Sequence, residues 1–159
     1  ELQPEQNISW KELRMVHKAE DGSERIFNLT EESDGTIRLL DFIPMLIDMR
    51  TNDAVYLIDE VDRSMHPMLT VKLIELYNKI LEDRKDCNLQ LICTTHESTL
   101  LSEAQVRTDE VWFVEKDEHG ASHMTSLVEY KPRQDVRRGY LMGRYGAIPF
   151  FGNLDNTNW

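Results

Sequence analysis

Four apolar residues, Val55, Tyr56, Leu57 and Ile58, end abruptly in two adjacent carboxylates, Asp59 and Glu60. A continuous apolar run suits a central strand of a parallel sheet covered on both faces, and ligands of such sheets sit beyond the carboxyl ends of the strands. The acid pair is therefore expected at the edge of a site. There one carboxylate can hold Mg²⁺ through its water shell while the next polarises an attacking water, as nucleotide hydrolysis requires. Paired acids also occur as solvated loop residues, so the dipeptide needs context. His96 closes the next apolar run, in Thr94-Thr95-His96. An imidazole near the acidic edge could donate a hydrogen bond to a phosphate oxygen, although a lone His at a strand end is more often structural. A third segment, Glu31-Glu32-Ser33-Asp34-Gly35-Thr36, opens a helix whose free N–H groups and dipole favour an anion; its plain alternative is an ordinary N-cap.

The elements that must position these groups are legible in the periodicity. Residues 9–18 alternate loosely, Asp21-Gly22 is a turn signal and residues 25–29 resume an extended pattern, which predicts a β-hairpin. From Thr36, apolar Leu39, Phe42, Ile43, Leu46 and Ile47 recur at helical spacing, with Ser33 or Asp34 as cap. Pro67 suits the first turn of a second amphipathic helix carrying Leu73, Leu76, Tyr77, Ile80 and Leu81. Residues 88–95 read as another strand, with a short helix over 97–102. Residues 111–114 and 124–130 read as a hairpin closed by Glu118-His119-Gly120. The fold class is α/β, a mainly parallel sheet flanked by helices with antiparallel hairpins at its edge.

Composition narrows the partners. The 159 residues amount to one domain, and 18 Lys plus Arg against 29 Asp plus Glu leave a net charge of −11. That disfavours a broad phosphate-backbone contact, so nucleic acid as a partner is not supported by net charge. No apolar run approaches the roughly 18 residues a bilayer span needs, and the opening residues carry neither an initiator Met nor a signal peptide, so a cytoplasmic chain that starts inside a longer protein is expected. Cys87 and Cys93 lack a CxxC spacing and read as reduced thiols. His119 and His123 flank a turn without helix or carboxylate partners and read as solvated, and His66 reads as structural, packed on the turn after the acid pair. Trp112 and Phe113 read as strand core and edge residues. The basic patch, Lys131, Arg133, Arg137, Arg138 and Arg144 against Asp135, precedes a Gly-rich tail over 143–152 without periodicity and a frayed end.

Together these segments resemble the second half of an ABC-type ATPase head. Ser33-Asp34-Gly35-Thr36 resembles the variant signature motif, residues 55–60 the Walker B strand, residues 61–64 the D-loop and His96 the switch histidine. The details are more similar still to the AAA-type, ABC-like ATPases of prokaryotic defence and abortive-infection systems. Those carry an ESDGT-like signature, a DE pair followed by Ser-x-His-Pro, and a TTH motif, here residues 32–36, 64–67 and 94–96; residues 143–149 also resemble that family. The resemblance implies a P-loop NTPase-like fold, ATP and Mg²⁺ as cofactors, and an ATP-sandwiched homodimer. It gives Asp59 to Mg²⁺ through water, Glu60 to the attacking water and His96 to the γ-phosphate. Ser33, Gly35 and Thr36 of the signature, with Asp62 of the D-loop, would contact nucleotide, Ser33 and Gly35 acting in trans.

One departure is large: no G-x-x-x-x-G-K-[ST] occurs, and no Gly is followed by Lys. The resemblance therefore implies a C-terminal fragment lacking the Walker A half and, alone, a complete site. Within residues 1–159, taken as one domain, 1–30 would be a hairpin region, 31–130 the signature, Walker B, D-loop and switch-histidine core, and 131–159 the basic segment and tail. Its cycle would serve a nuclease or toxin effector; the alternative is a mechanical, DNA-end-binding head of a chromosome-maintenance or repair ATPase. A solvated helix face is the reading of the basic patch that net charge favours. On that reading, Arg137→Glu with Arg138→Glu leaves DNA affinity and its salt dependence unchanged in a filter-binding titration, and a loss would reinstate the DNA role.

Overall fold

The computed structural model describes residues 11–101, 106–132 and 135–146. Strands β1 (Arg14–Lys18) and β2 (Glu24–Asn28) pair antiparallel with Val16 opposite Ile26. Their turn is held by the Asp21 carboxylate, which accepts from the Ser23 N–H at 2.9 Å and the Ser23 hydroxyl at 2.6 Å. Gly22 takes φ +81°, where a Cβ would be strained.

Helix α1 spans Asp34–Asp48, and Ser33 is its cap: Ser33 Oγ accepts from the Thr36 N–H at 3.2 Å. Pro44 sits inside this helix, so the Leu40 carbonyl loses its usual donor there. Helix α2, Pro67–Asp83, begins as expected with proline in its first turn, and His66 Nδ1 accepts from the Met68 N–H at 3.2 Å. Between the helices runs β3 (Val55–Ile58), which pairs in parallel with β4 (Gln90–Cys93), Ile58 opposite Cys93.

The expectation of a mainly parallel sheet needs correction. The described strands form three two-stranded sheets, and the β3–β4 pair is the parallel one of the three. Nor is the apolar run covered on both faces. Side chains alternate along a strand, so Tyr56 and Ile58 share a face with Leu91 and Cys93, while Val55, Leu57 and Ile92 share the other. The first face is packed. Ile58 and Cys93 lie against Phe42, Val61 and Leu73, and Leu91 and Cys93 against Val71, Ile74 and Leu100. The second is bare, with Val55 56%, Leu57 75% and Ile92 48% exposed. Helix α1 shows the same one-sidedness: Phe42 is buried, whereas Ile43 and Ile47 are exposed.

A third cluster lies in the later part of the chain. Strands β5 (Trp112–Lys116) and β6 (Ser122–Ser126) form a hairpin, β6 running into a 3-10 turn at Leu127–Tyr130. Phe113 is stacked on Tyr140 of helix α3 (Val136–Leu141) at 5.6 Å and on Tyr145 at 5.3 Å, over Leu127. Trp112, on the other strand face, is exposed. The helix expected at 97–102 is a 3-10 turn, Ser98–Leu101. Ser102, Arg133, residues 1–10 and the tail from 147 lie outside the described residues. Among those described, no helix is long and apolar enough to cross a membrane.

Arg84, just past α2, joins the two halves of the β-α-β unit. Its Nη1 donates to the Met49 and Asn52 carbonyls at 2.6 and 2.8 Å, and Nη2 to Asp53 Oδ1 at 2.6 Å. The Asn88 backbone N–H and this guanidinium hold the Asp53 carboxyl below its ordinary value. Arg84→Met keeps the stem but strips two carbonyls of their donor. It should cost about 1–3 kcal/mol in a urea unfolding titration, and an unchanged midpoint would remove Arg84 from the fold's supports.

Candidate functional site

The acid pair is built where β3 and β4 end together. The Thr94 N–H donates to the Ile58 carbonyl at 3.0 Å, one ladder step past the strands, and the Thr94 carbonyl accepts from the Val61 N–H at 3.0 Å, one residue beyond the Glu60 N–H that the parallel register would supply. The Thr94 hydroxyl then donates to Asp59 Oδ1 at 2.6 Å and accepts from the Glu60 N–H at 2.8 Å. Glu60 takes φ +49° and Ser64 φ +61°, two of the three non-glycine residues in this region of φ among those described. Such a backbone costs on the order of 1–2 kcal/mol at each residue. The hydrogen bond from the Glu60 N–H offsets about 1 kcal/mol of that. Both Asp62 carboxylate oxygens lie 3.3 Å from the His96 N–H, which they accept.

The start of α1 reaches this turn twice. A Cβ built on Gly35 would stand 2.8 Å from the Ser64 carbonyl oxygen, so the absence of a side chain lets the helix N-terminus meet the turn after the acids. Arg38, one helical turn on, extends Nη2 to the Glu60 carbonyl at 3.4 Å and lays its guanidinium 4.8 Å from the Phe42 ring centre. Its Nε is buried without a partner among the described residues. Ser33 Oγ and Thr36 Oγ1 lie 2.9 Å apart. Residues 33–36 line an open cleft of about 540 Å³ with Leu39, Ser64, His66 and Leu69. His66, expected to pack on the turn, caps α2 and faces this cleft. Glu32 is tied to the first hairpin by His17 Nε2 at 2.5 Å.

The residues singled out in the sequence thus fall into one connected region. Asp59, Glu60, Asp62 and the backbone of His96 share a hydrogen-bonded turn, and Ser33, Gly35 and Thr36 adjoin it through Ser64. Thr94 and Arg38 were not singled out as site residues. Thr94 was visible as the first residue of the TTH run; nothing local marks Arg38, whose role depends on α1 docking beside Glu60.

The remaining candidates sort differently. Burial first, and the Asp62 charge second, push the Cys93 thiol up, so it stays a protonated core group; Cys87 and Cys93 are both free. His119 and His123, expected to lack carboxylate partners, each have one: His119 Nε2 lies 3.5 Å from Glu118 Oε1, and His123 Nε2 lies 2.8 Å from Asp117 Oδ2. The sequence spacing hid the second because the hairpin turn folds Asp117 across to β6. That contact first, and the Ala121 N–H second, hold the Asp117 carboxyl below its usual range. No group of three or more His, Cys, Asp or Glu side chains is assembled as a metal site among the described residues.

With this geometry in view, family membership follows. Residues 3–102, 100 of the 159, match the family described as "AAA domain, putative AbiEii toxin, Type IV TA system", and the chain belongs to that family of AAA domains. Its class is that of ATPase-like nucleotide-binding domains. The matched span covers β1 through the 3-10 turn after β4, and so includes the whole candidate site. No curated protein matches the chain.

The Gly35 contact decides between two opposed effects. Alanine within a helix is favoured over glycine by about 1 kcal/mol, whereas forcing a methyl against a backbone oxygen costs typically 1–3 kcal/mol. Gly35→Ala should therefore lower the urea midpoint, and a raised midpoint would show that the turn at Ser64 yields freely.

Proposed function

We propose that this chain is the C-terminal part of an ABC-type ATPase head that hydrolyses ATP with Mg²⁺, Glu60 acting on the attacking water. The observation that carries the reading is the acid pair fastened at the carboxyl end of β3 by the strand that leads into His96, in a chain that belongs to an AAA-domain family. Phosphoryl transfer needs positioning and charge neutralisation more than covalent chemistry, and a hydrogen-bonded acidic turn beside the His96 loop supports the first.

The donor chemistry fits a hard cation. Asp59 offers carboxylate oxygens; Thr94 occupies Oδ1, which leaves Oδ2 for a metal-bound water. Mg²⁺ bound there supplies neutralisation of charge on the phosphate oxygens. Glu60 accepts the proton of the attacking water, and His96 donates a hydrogen bond to the terminal phosphate. Ser33, Gly35 and Thr36, at the capped start of α1, meet the nucleotide held by a partner protomer, and Asp62 holds the His96 loop in register. The phosphate-cradling loop is absent from these 159 residues and comes from the other half of the head. The bare face of Val55, Leu57 and Ile92 supports that view, since a strand pair of this composition is stable when covered. The cycle is coupled to a nuclease or toxin effector. A DNA-end-binding role has less support: the chain carries −11, and Arg137 Nε lies 3.4 Å from Ser98 Oγ.

In the full-length protein, Glu60→Gln should lower ATP turnover by about 10²–10⁴-fold, the usual contribution of a positioned base, while nucleotide binding persists. Turnover equal to wild type would sink the assignment.

A further inference from the structure

Thr94 has an unusual set of partners. It is hydrogen-bonded to four consecutive residues of the β3 end: through its N–H to the Ile58 carbonyl, through its hydroxyl to Asp59 Oδ1 and the Glu60 N–H, and through its carbonyl to the Val61 N–H. The first continues the parallel ladder, and it and the bond from the Val61 N–H are backbone bonds that any residue could make. The other two need a side-chain hydroxyl, because one atom must donate to a carboxylate and accept from an amide at once. Valine, of the same shape, can do neither, and serine can do both.

We propose that Thr94 is a positioning residue for the acid pair, fixing the Asp59 carboxylate through one oxygen and the backbone of Glu60 through its N–H, so that the strand leading to His96 sets the geometry of both acids. Three observations converge on this. The hydroxyl–carboxylate distance of 2.6 Å is that of a charge-assisted bond, which holds an orientation more firmly than a neutral one. Glu60 sits at φ +49°, a conformation a residue with a Cβ rarely keeps without an external tie. Two residues further on, the His96 N–H is held by Asp62, so a displacement of the His96 loop pulls on the acid turn at two points, Thr94 and Asp62. Phosphate sensing at His96 and alignment of the acids then become one motion. Thr94 touches neither nucleotide nor attacking water in this scheme; it acts through Asp59 and Glu60.

The inference rests on the ATPase reading for its consequence, but its geometric core can be tested without it. In the full-length protein, Thr94→Val should lower kcat and raise the Mg²⁺ concentration for half-maximal rate, each by about 10–100-fold, as loss of a partner that orients a metal ligand does. KM for ATP should stay within about twofold, because binding contacts common to ground and transition states are untouched. Thr94→Ser should restore both parameters. Deuterium exchange at single amides gives the independent readout. The Glu60 amide is expected to exchange at least about tenfold faster in Thr94→Val than in wild type or Thr94→Ser, while the Val61 amide, bound to the Thr94 carbonyl, keeps its protection. Equal loss of protection at both amides would assign Thr94 to strand pairing alone and overturn the proposal. So would unchanged Glu60 exchange, or unchanged kcat and Mg²⁺ dependence in an active enzyme. A wild-type protein without ATPase activity would instead overturn the ATPase reading, with the amide pattern still deciding whether the clamp exists.

Discussion

The parallel pairing of β3 with β4 is the constraint on which the rest depends. Its register, Ile58 opposite Cys93, brings residues 59–62 beside residues 94–96, segments about 35 positions apart in the chain. A register shifted by one residue would turn Ile58 away from Phe42 and Leu73 and move Thr94 out of reach of the Glu60 amide. Core packing and site geometry are therefore specified by the same alignment. Parallel strands also require a crossover, and α2 supplies it, its first turn capped by His66 at the edge of the cleft beside the acids and its far end anchored by Arg84.

That far anchor explains how a short strand pair keeps its place. The Arg84 fork draws the end of α2 onto the carbonyls that follow α1, and the Tyr56 hydroxyl donates to the Asp48 carboxylate from the neighbouring strand. The Asp48 carboxyl is held below its ordinary range first by that phenol and then by the Asn52 amide. The end of the unit remote from the acids is thus rich in fixed polar contacts. The end that bears the acids is held mainly by bonds to Thr94 and Asp62, with Arg38 reaching the Glu60 carbonyl.

Element types were largely legible in the sequence because they follow local periodicity and punctuation. Asp21-Gly22 made a turn, Ser33 a cap and Pro67 a helix start, each by a mechanism confined to a few residues. Strand partners and strand coverage were less legible. An apolar run such as residues 55–58 announces a strand that wants two covered faces, but the covering layer need not lie in the same 159 residues, and here one face is bare. Pairings set by distant segments were invisible for the same reason. Arg38 meets Glu60 across 22 positions, and His17 meets Glu32 only after the first hairpin closes. The positions of Asp59, Glu60 and His96 were easier to place because they sit at or just past strand ends, which the sequence does mark. Their connection through a threonine hydroxyl is a three-dimensional fact that no spacing records.

The uncovered ribbon of Val55, Leu57 and Ile92 also governs how this chain behaves as a colloid. Unpaired strand edges flanked by apolar side chains are templates for intermolecular pairing. The charge of −11 opposes such pairing, a repulsion reaching about 10 Å at 0.1 M salt and about 3 Å at 1 M. The two forces act over different ranges, so dilute buffer favours dispersed molecules, and concentrated salt exposes each copy to the ribbon of the next.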